Sequence, residues 1–462
     1  MKKVFFFCGI LALALSSCLG DSENNVEYYQ DTGLVSFTLG SMKQTFHTKS
    51  STGEDSTYTK NVDGSTYAFT IDQQLGLVYN VDSLPVNTNV ARVLCMITTK
   101  NLGTPIFSLR TKDGLRDSLV GYSSTDSVDF TKPRELRVYN QPASSYRTYV
   151  IEVRVHQQSG NEFQWQKIAT GKTSDFAGMQ RLRMVSVNGK TFVLGLSADG
   201  TRTKMFDIAD CIANTGEARE FGPTAIDNVV VRGSELLLLD GTTLWHTAKN
   251  SEGTWSWTDG NCNTTDLDRL VGASSTEIYA RSKSGWLLVS TDGGQTWKEE
   301  NLDSSAELLP TENISCTVHT LRTNDDVERV MLVGTRPDKD YAVVWMKIID
   351  EDTPANEQWM LVADGSKTTF ALPKSQSLCV AAYGEKEIAL GAGNGALAPI
   401  LLSSDGGLSW QRDDAHIWST EAVCTGSFAA TVDEDNFVWV VMGGSGQVWR
   451  GRLNSMGWKN KR

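Results

Sequence analysis

Short runs of alternating apolar and polar residues fill the chain from Leu34 to about Gln157: LVSFTLG, STYAFTI, ARVLCMITT, PIFSLR, RELRVYN and RTYVIEVRV, with Ser, Thr, Asp and Gly between them. A period of two turns one side of each run inward, as in a half-buried strand. The set predicts an antiparallel β-sandwich over residues 33–158. From about Asn161 the pattern becomes trios of strands closed by a turn and a Trp. These read RMVSVNG/TFVLGLS/TKMFDI, VVVRG/ELLLLD/TLWHTA, RLVGA/EIYARS/WLLVS, SCTVHT/VMLVGT/YAVVWMKI, CVAAYG/EIALGAG/PILLS and FAATVD/VWVVMG/QVWRGRL. Closing Trp residues fall at 257, 297, 359, 410 and 458, a spacing of roughly 40 to 60 residues that marks a repeat architecture. The fold class is therefore all-β, with a six-bladed β-propeller over 161–462. EFQWQKI (162–168) reads as an extra outer strand that either closes the ring on its last unit or bridges the two domains.

Two of the turns are nearly identical: STDGGQTW from Ser290 to Trp297 and SSDGGLSW from Ser403 to Trp410. Asp292 and Asp405 can accept from N–H groups of their own loops, and the Gly pairs ending in Gly294 and Gly407 permit positive φ. Thr296 or Ser409 can tie the returning strand by its hydroxyl, and the Trp can drop its ring into the unit. The pattern S-x-D-x-G-x-[ST]-W resembles the Asp-box, or BNR, repeat of sialidase-like propellers. That resemblance implies a turn between the third and fourth strands of a blade, on the face away from the substrate side of sialidases. The expected role of Asp292 and Asp405 is structural. Trp257 and Trp458 follow degenerate copies, with Glu252 or Met456 in place of the acid.

The N-terminus carries a targeting signal. Lys2 and Lys3 precede an apolar stretch from Val4 to Leu15 that is short for a membrane span, and Leu15-Ser16-Ser17-Cys18 matches a bacterial lipobox. Residues 1–17 are expected to be removed as a signal peptide and Cys18 to carry the acyl chains, which anchor the chain without crossing the membrane. Residues 18–32 form an acidic tether that resembles the surface-export signal of Bacteroidetes lipoproteins. An outer-membrane, surface-exposed location is expected, with the periplasmic face as the alternative. The segments Phe69–Pro85 and Val128 to Val155 are similar to those of Bacteroidetes surface lipoproteins that pair an immunoglobulin-like N-terminal domain of unknown function with a propeller.

Composition narrows the partners. The formal net charge is −12, and no local basic run offsets it, which argues against nucleic acid and disfavours anionic glycans and phospholipids. The six cysteines beyond Cys18 show no metal-ligand spacing. Small buried core residues are expected, with a Cys211–Cys262 disulfide as an open alternative. Neither a metal nor a cofactor is expected, and the chain is expected to be monomeric.

The working face should lie on the turns between second and third strands and on the connections between blades. Candidates are Trp286 in KSGW, Arg336, Asp338 and Tyr341 in TRPDKDY, Asn394 in GAGNGA, and Asp413, Asp414, His416 and Trp418 in RDDAHIW. Aromatic rings beside carboxylates and amides suit sugars, which stack and hydrogen-bond at once. His319 is expected to be a packed histidine, and Asp350-Glu351-Asp352 a solvated charge run without calcium-loop spacing. A sialidase would need an arginine triad, a tyrosine nucleophile and an Arg-Ile-Pro motif. Arg181 and Arg183 stand in QRLRMV, without the Ile-Pro. The expected function is binding of a glycan or protein partner without catalysis. The alternatives are a glycoside hydrolase of sialidase-like architecture, or an assembly factor like the photosystem assembly proteins that carry these boxes.

Overall fold

The computed structural model describes residues 28–49, 53–110, 117–213, 218–249, 255–262, 264–321, 324–350 and 358–458. The lipobox with Cys18, most of the tether, and Glu351 with Asp352 lie outside the described residues. The chain divides into two compact units that meet between Ser159 and Gly160.

The first unit contains ten strands among its described residues: β1 (Leu34–Leu39), β2 (Ser41–Lys49), β3 (Asp55–Asp63), β4 (Phe69–Asp72), β5 (Leu77–Asn80), β6 (Cys95–Thr99), β7 (Thr104–Arg110), β8 (Asp117–Gly121), β9 (Arg134–Tyr139) and β10 (Tyr146–Glu152). Six form one sheet in the order β4-β5-β10-β9-β7-β8, while β1 pairs β6 and β2 pairs β3. The alternation in the sequence sends Phe37, Phe107, Phe130, Leu136 and Val138 into one core. The expectation of purely antiparallel pairing needs correction, because β5 and β10 run parallel. The long stretch between Asn80 and Tyr146 makes this possible, since a parallel pair needs a crossover where a hairpin would give an antiparallel one. Tyr149 is fully buried, and its hydroxyl donates to Gln73 Oε1 (2.6 Å) while accepting from the Leu34 N–H (3.1 Å). A buried phenol is thereby satisfied and ties β1 to the last strand.

The second unit opens with β11 (Phe163–Ile168). It continues with β12–β15 (Arg181–Val187, Lys190–Leu196, Thr203–Asp207, Arg219–Phe221), β16–β19 (Val229–Arg232, Glu235–Asp240, Thr243–Lys249, Trp255–Asp259) and β20–β23 (Leu267–Ala273, Ile278–Ser282, Leu287–Ser290, Lys298–Glu299). Next come β24–β27 (Glu312–Leu321, Asn324–Thr335, Val343–Asp350, Met360–Asp364), β28–β31 (Ser377–Tyr383, Lys386–Gly393, Ala396–Leu397, Leu401–Ser403) and β32–β34 (Phe428–Val432, Val438–Met442, Gln447–Leu453). Each group forms its own antiparallel sheet, and the last gains β11 as its fourth strand. The first strands β12, β16, β20, β24, β28 and β32 lie side by side in sequence order, and β32 neighbours β12, so the ring closes.

The outer strand EFQWQKI thus sits on β34, with Phe163 opposite Leu453 and Ile168 opposite Val448. Residues 454–457, read as the degenerate turn before Trp458, form a 3-10 turn. Apolar clusters fill each interface between sheets. One joins Val185 and Val187 to Leu236 and Leu238 of the next sheet, and another joins Val440 to Ile388 and Leu390. All six described cysteines carry free thiols. Cys211 and Cys262 belong to different interface clusters, so the disulfide alternative does not form.

Candidate functional site

Strand register sorts the turns to the two ends of the ring. Leu267 lies opposite Ser282, Glu312 opposite Thr335, and Ser377 opposite Ala392. The turns carrying Trp286, Arg336 and Asn394 therefore share the end at which the first strands begin. Ile278 lies opposite both Ala273 and Ser290, so the turn after Ser290 belongs to the other end.

The two repeated turns have the same bonding. Ser290 Oγ donates to Asp292 Oδ1 (2.8 Å) and accepts from the Gly294 N–H (2.8 Å), while Asp292 also accepts from the Thr296 N–H (2.9 Å) and hydroxyl (2.5 Å). In the second copy Ser403, Asp405, Gly407 and Ser409 repeat these contacts at 2.8, 3.0, 3.0 and 2.5 Å. The indole N–H of Trp297 donates to the Gly294 carbonyl and that of Trp410 to the Gly407 carbonyl. Gly294 (φ 95°) and Gly407 (φ 85°) adopt backbone that a side chain would strain. The hydroxyl and then the N–H of Thr296 hold Asp292 at a pKa of about 2. Burial pushes Asp405 up, but the bonds from Ser409 outweigh it and leave this carboxyl below its ordinary value. Both aspartates spend their acceptor capacity inside their own loops.

The candidate face separates into exposed and packed residues. Trp286 is 47% exposed. Arg336 is tied to Asp338 (2.9 Å) and to the Leu309 carbonyl, and Lys374 donates to the Arg336 carbonyl. Tyr341 bridges to Pro373, and the N–H of Asn394 reaches Gln376. Asp414 is exposed. His416 and Trp418 require correction as face residues. His416 is only 5% exposed, with Nδ1 2.7 Å from Asp413 Oδ1 and its ring against Phe163 and Tyr383. Trp418 stacks on Trp165 at 5.1 Å and donates its indole N–H to the Ala398 carbonyl. The connection that carries them dives between two sheets because its aromatic rings bury more apolar surface there than a loop outside would.

Inside the ring is a cavity of about 1590 Å³ lined by the first strands of all six sheets. Its principal charges near the starting end were not visible as a group in the sequence. Arg181 forms a two-pronged ion pair with Asp227. Arg183 donates one bond to the Val229 carbonyl (3.1 Å), and Arg269 one to the Thr311 carbonyl (3.0 Å). Burial holds the Arg183 pKa below its ordinary value; Asp227 counters this, while the like charges of Arg181 and Arg269 add to it. Arg183 also acts on the thiols of Cys316 and Cys379, whose pKa values burial nevertheless raises. The only signal in the sequence was a charged residue inside otherwise apolar inner strands, RLRMVSV and LDRLVGA.

Other charged groups are consumed in packing. Lys347 Nζ lies 2.8 Å from both Glu277 and Glu300, joining two sheets. Glu387, fully buried, lies 2.8 Å from His319 Nε2 and 3.7 Å from Arg329, but its two oxygens, His319 Nε2 and Arg329 Nε make no hydrogen bond, so this group is paired by charge alone. Cys262, His246 and Glu235 line up at 3.8 and 3.5 Å. However, the thiol donates to the Gly293 carbonyl and burial pushes its pKa up, so this trio clamps a loop and does not present a nucleophile. Among the described residues no group of three or more His, Cys, Asp or Glu could hold a metal ion.

Residues 159–461 match the family model described as the DUF6242 beta propeller domain, and residues 37–153 that of the DUF6242 N-terminal domain. The chain belongs to the DUF6242 family. No curated protein matches it. Among solved structures, a Bacteroides thetaiotaomicron protein of unknown function is 12% identical, with 78% of this chain and 94% of that one covered at a TM-score of 0.41. Trypanosoma rangeli sialidase is 11% identical, with 60% and 55% covered at 0.33. Aleuria aurantia lectin is 12% identical, with 60% and 92% covered at 0.35.

Proposed function

We propose that the protein is a lipid-anchored, surface-displayed glycan-binding protein without catalytic activity. On this reading Cys18 carries the lipid, an immunoglobulin-like N-terminal domain spaces a six-bladed propeller from the membrane, and the two repeated turns are Asp boxes that staple blades. The glycan enters at the end of the ring where the first strands begin. The observation that carries the reading is the concave cavity inside the ring, which at that end is lined by the guanidinium groups of Arg181, Arg183 and Arg269 and by Asn313, Ser315 and Gln376, set among apolar residues of the first strands. Such a site suits a polyhydroxylated ligand better than the flat or apolar rim a protein partner would favour. Binding without hydrolysis is supported by the state of its carboxylates. At the starting end Asp227 is held by Arg181, and Glu312 lies 3.8 Å from Lys374, whereas a glycosidase needs two carboxyl groups free to trade protons; the other carboxylates of the lining, Glu328, Glu385, Asp433 and Glu434, lie toward the opposite end.

A glycan array probed with the purified full-length protein tests this, together with an assay for released reducing sugar on every glycan retained. Retention without release is expected. Release of sugar would make the protein a glycoside hydrolase, and failure to retain any glycan alongside capture of a defined protein would make the face a protein-docking site.

A further inference from the structure

We propose that the starting end of the central channel is a carboxylate-recognition site centred on Arg183, and that the glycan it takes carries an acidic sugar of the uronic acid class. This rests on the reading of that end as a glycan site and goes further by naming the group recognised.

Three guanidinium groups, those of Arg181, Arg183 and Arg269, line the same cavity. Only Arg181 has a strong partner there, in Asp227. Arg183 makes no ion pair among the described residues, where its guanidinium donates to the Val229 carbonyl. A guanidinium has five N–H donors in a planar fork. Arg183 thus lines the channel with donors to spare, in surroundings that penalise its charge. Arg269 has no carboxylate nearer than Asp268 at 4.0 Å, and its Nε is buried without an acceptor. Two under-paired cations in a confined, partly desolvated space are an unfavourable arrangement that a bound carboxylate would relieve through charge-assisted bonds to the guanidinium fork.

The net charge of −12, which disfavours anionic glycans for the chain as a whole, is overridden here by local sign. A cleft with low-dielectric walls focuses the field of the charges that line it, so local sign outweighs the total. A sugar is favoured over a peptide carboxylate by the rest of the lining. At that end Asn313, Ser315, Gln376 and Ser377 contribute hydroxyl and amide groups, and the rings lining the whole cavity among the described residues are those of His319 and Phe428. Hydroxyl and amide groups suit a sugar ring, and the apolar residues that also line the channel, Ile226, Val229 and Leu270 among them, are the surface that the last side chain of a peptide would use instead.

The test is calorimetric titration of the purified full-length protein with glucuronic acid, its methyl ester and glucose, in parallel with a peptide bearing a free C-terminal carboxylate. The same titrations are made with Arg183→Gln and Arg183→Lys, each checked for an unchanged circular dichroism spectrum. The acid should bind at least about tenfold more tightly than ester or glucose. Arg183→Gln should abolish that difference. Arg183→Lys, which keeps the charge and loses the fork, should retain part of it. Equal binding of acid, ester and glucose would overturn the carboxylate site while leaving a glycan site standing. Acid preference unchanged in both variants would overturn the role of Arg183, and tighter binding of the peptide would overturn the ligand class. Silence of all three sugars here and of the whole array would remove the glycan reading along with this proposal.

Discussion

Phe163 lies opposite Leu453 in the ladder that joins β11 to β34, so the strand opening the second unit completes the sheet with which that unit ends. Closure of the ring depends on residues almost three hundred positions apart in sequence. Deleting residues 163–168 would leave the outer edge of β34 unpaired, and an exposed edge recruits other chains. The deletion is expected to lower the thermal midpoint and to produce oligomers in size-exclusion chromatography. A monomer with an unchanged midpoint would mean that the ring does not need this strand.

The two repeated turns predict an acid-sensitive fold. With Asp292 held at about 2 and Asp405 below its ordinary value, both carboxyls are more acidic folded than unfolded. Their stabilisation is complete above the unfolded value, near about 4, and is lost as pH falls through the folded values. The thermal midpoint should therefore decline between about pH 4 and pH 2, and Asp292→Asn should flatten part of that decline. An identical pH profile in the variant would show that Asp292 is not coupled to folding.

Lys347, 3% exposed at its side chain, bridges Glu277 and Glu300 at 2.8 Å each. Burial already pushes Glu300 above its ordinary value despite this lysine. Lys347→Met would strand two buried carboxylates and is expected to cost about 3 to 5 kcal/mol in urea denaturation. A loss below about 1 kcal/mol would mean that water reaches these carboxylates.

Trp418 and Trp286 should behave oppositely. Stacked on Trp165 with its indole bonded, Trp418 should cost about 3 kcal/mol or more when changed to Ala. Trp286, 47% exposed, should change stability by less than about 0.5 kcal/mol as Ala, while weakening retention on any glycan that the array identifies. Paired thermal melts and array signals check both; a stable Trp418→Ala variant would contradict the packing.

The ring was legible in the sequence because its repeats recur with turn chemistry that admits few alternatives, as Asp292 and Asp405 illustrate. The parallel pairing of β5 with β10 was not, since a period of two is the same for parallel and antiparallel neighbours. His416 and Trp418 were misplaced for a related reason. A polar and aromatic connection reads as a surface loop, and only the position of Phe163 and Trp165 on the last sheet creates the surface against which His416 is buried and Trp418 stacks. Arg183 and Arg269 stand far apart in the chain and come within electrostatic reach only because β12, β16 and β20 lie side by side.

Hydrogen exchange with mass spectrometry, on the full-length protein with and without the tightest-binding oligosaccharide from the array, tests the assignment of the working end most directly. Protection is expected at the start of the first strands, around Arg181 to Met184, Ile226 to Val230 and Thr311 to Ser315, and on the turns of Trp286 and Arg336. Protection confined to Ser290–Trp297 and Ser403–Trp410 would place binding at the opposite end of the ring and contradict the account.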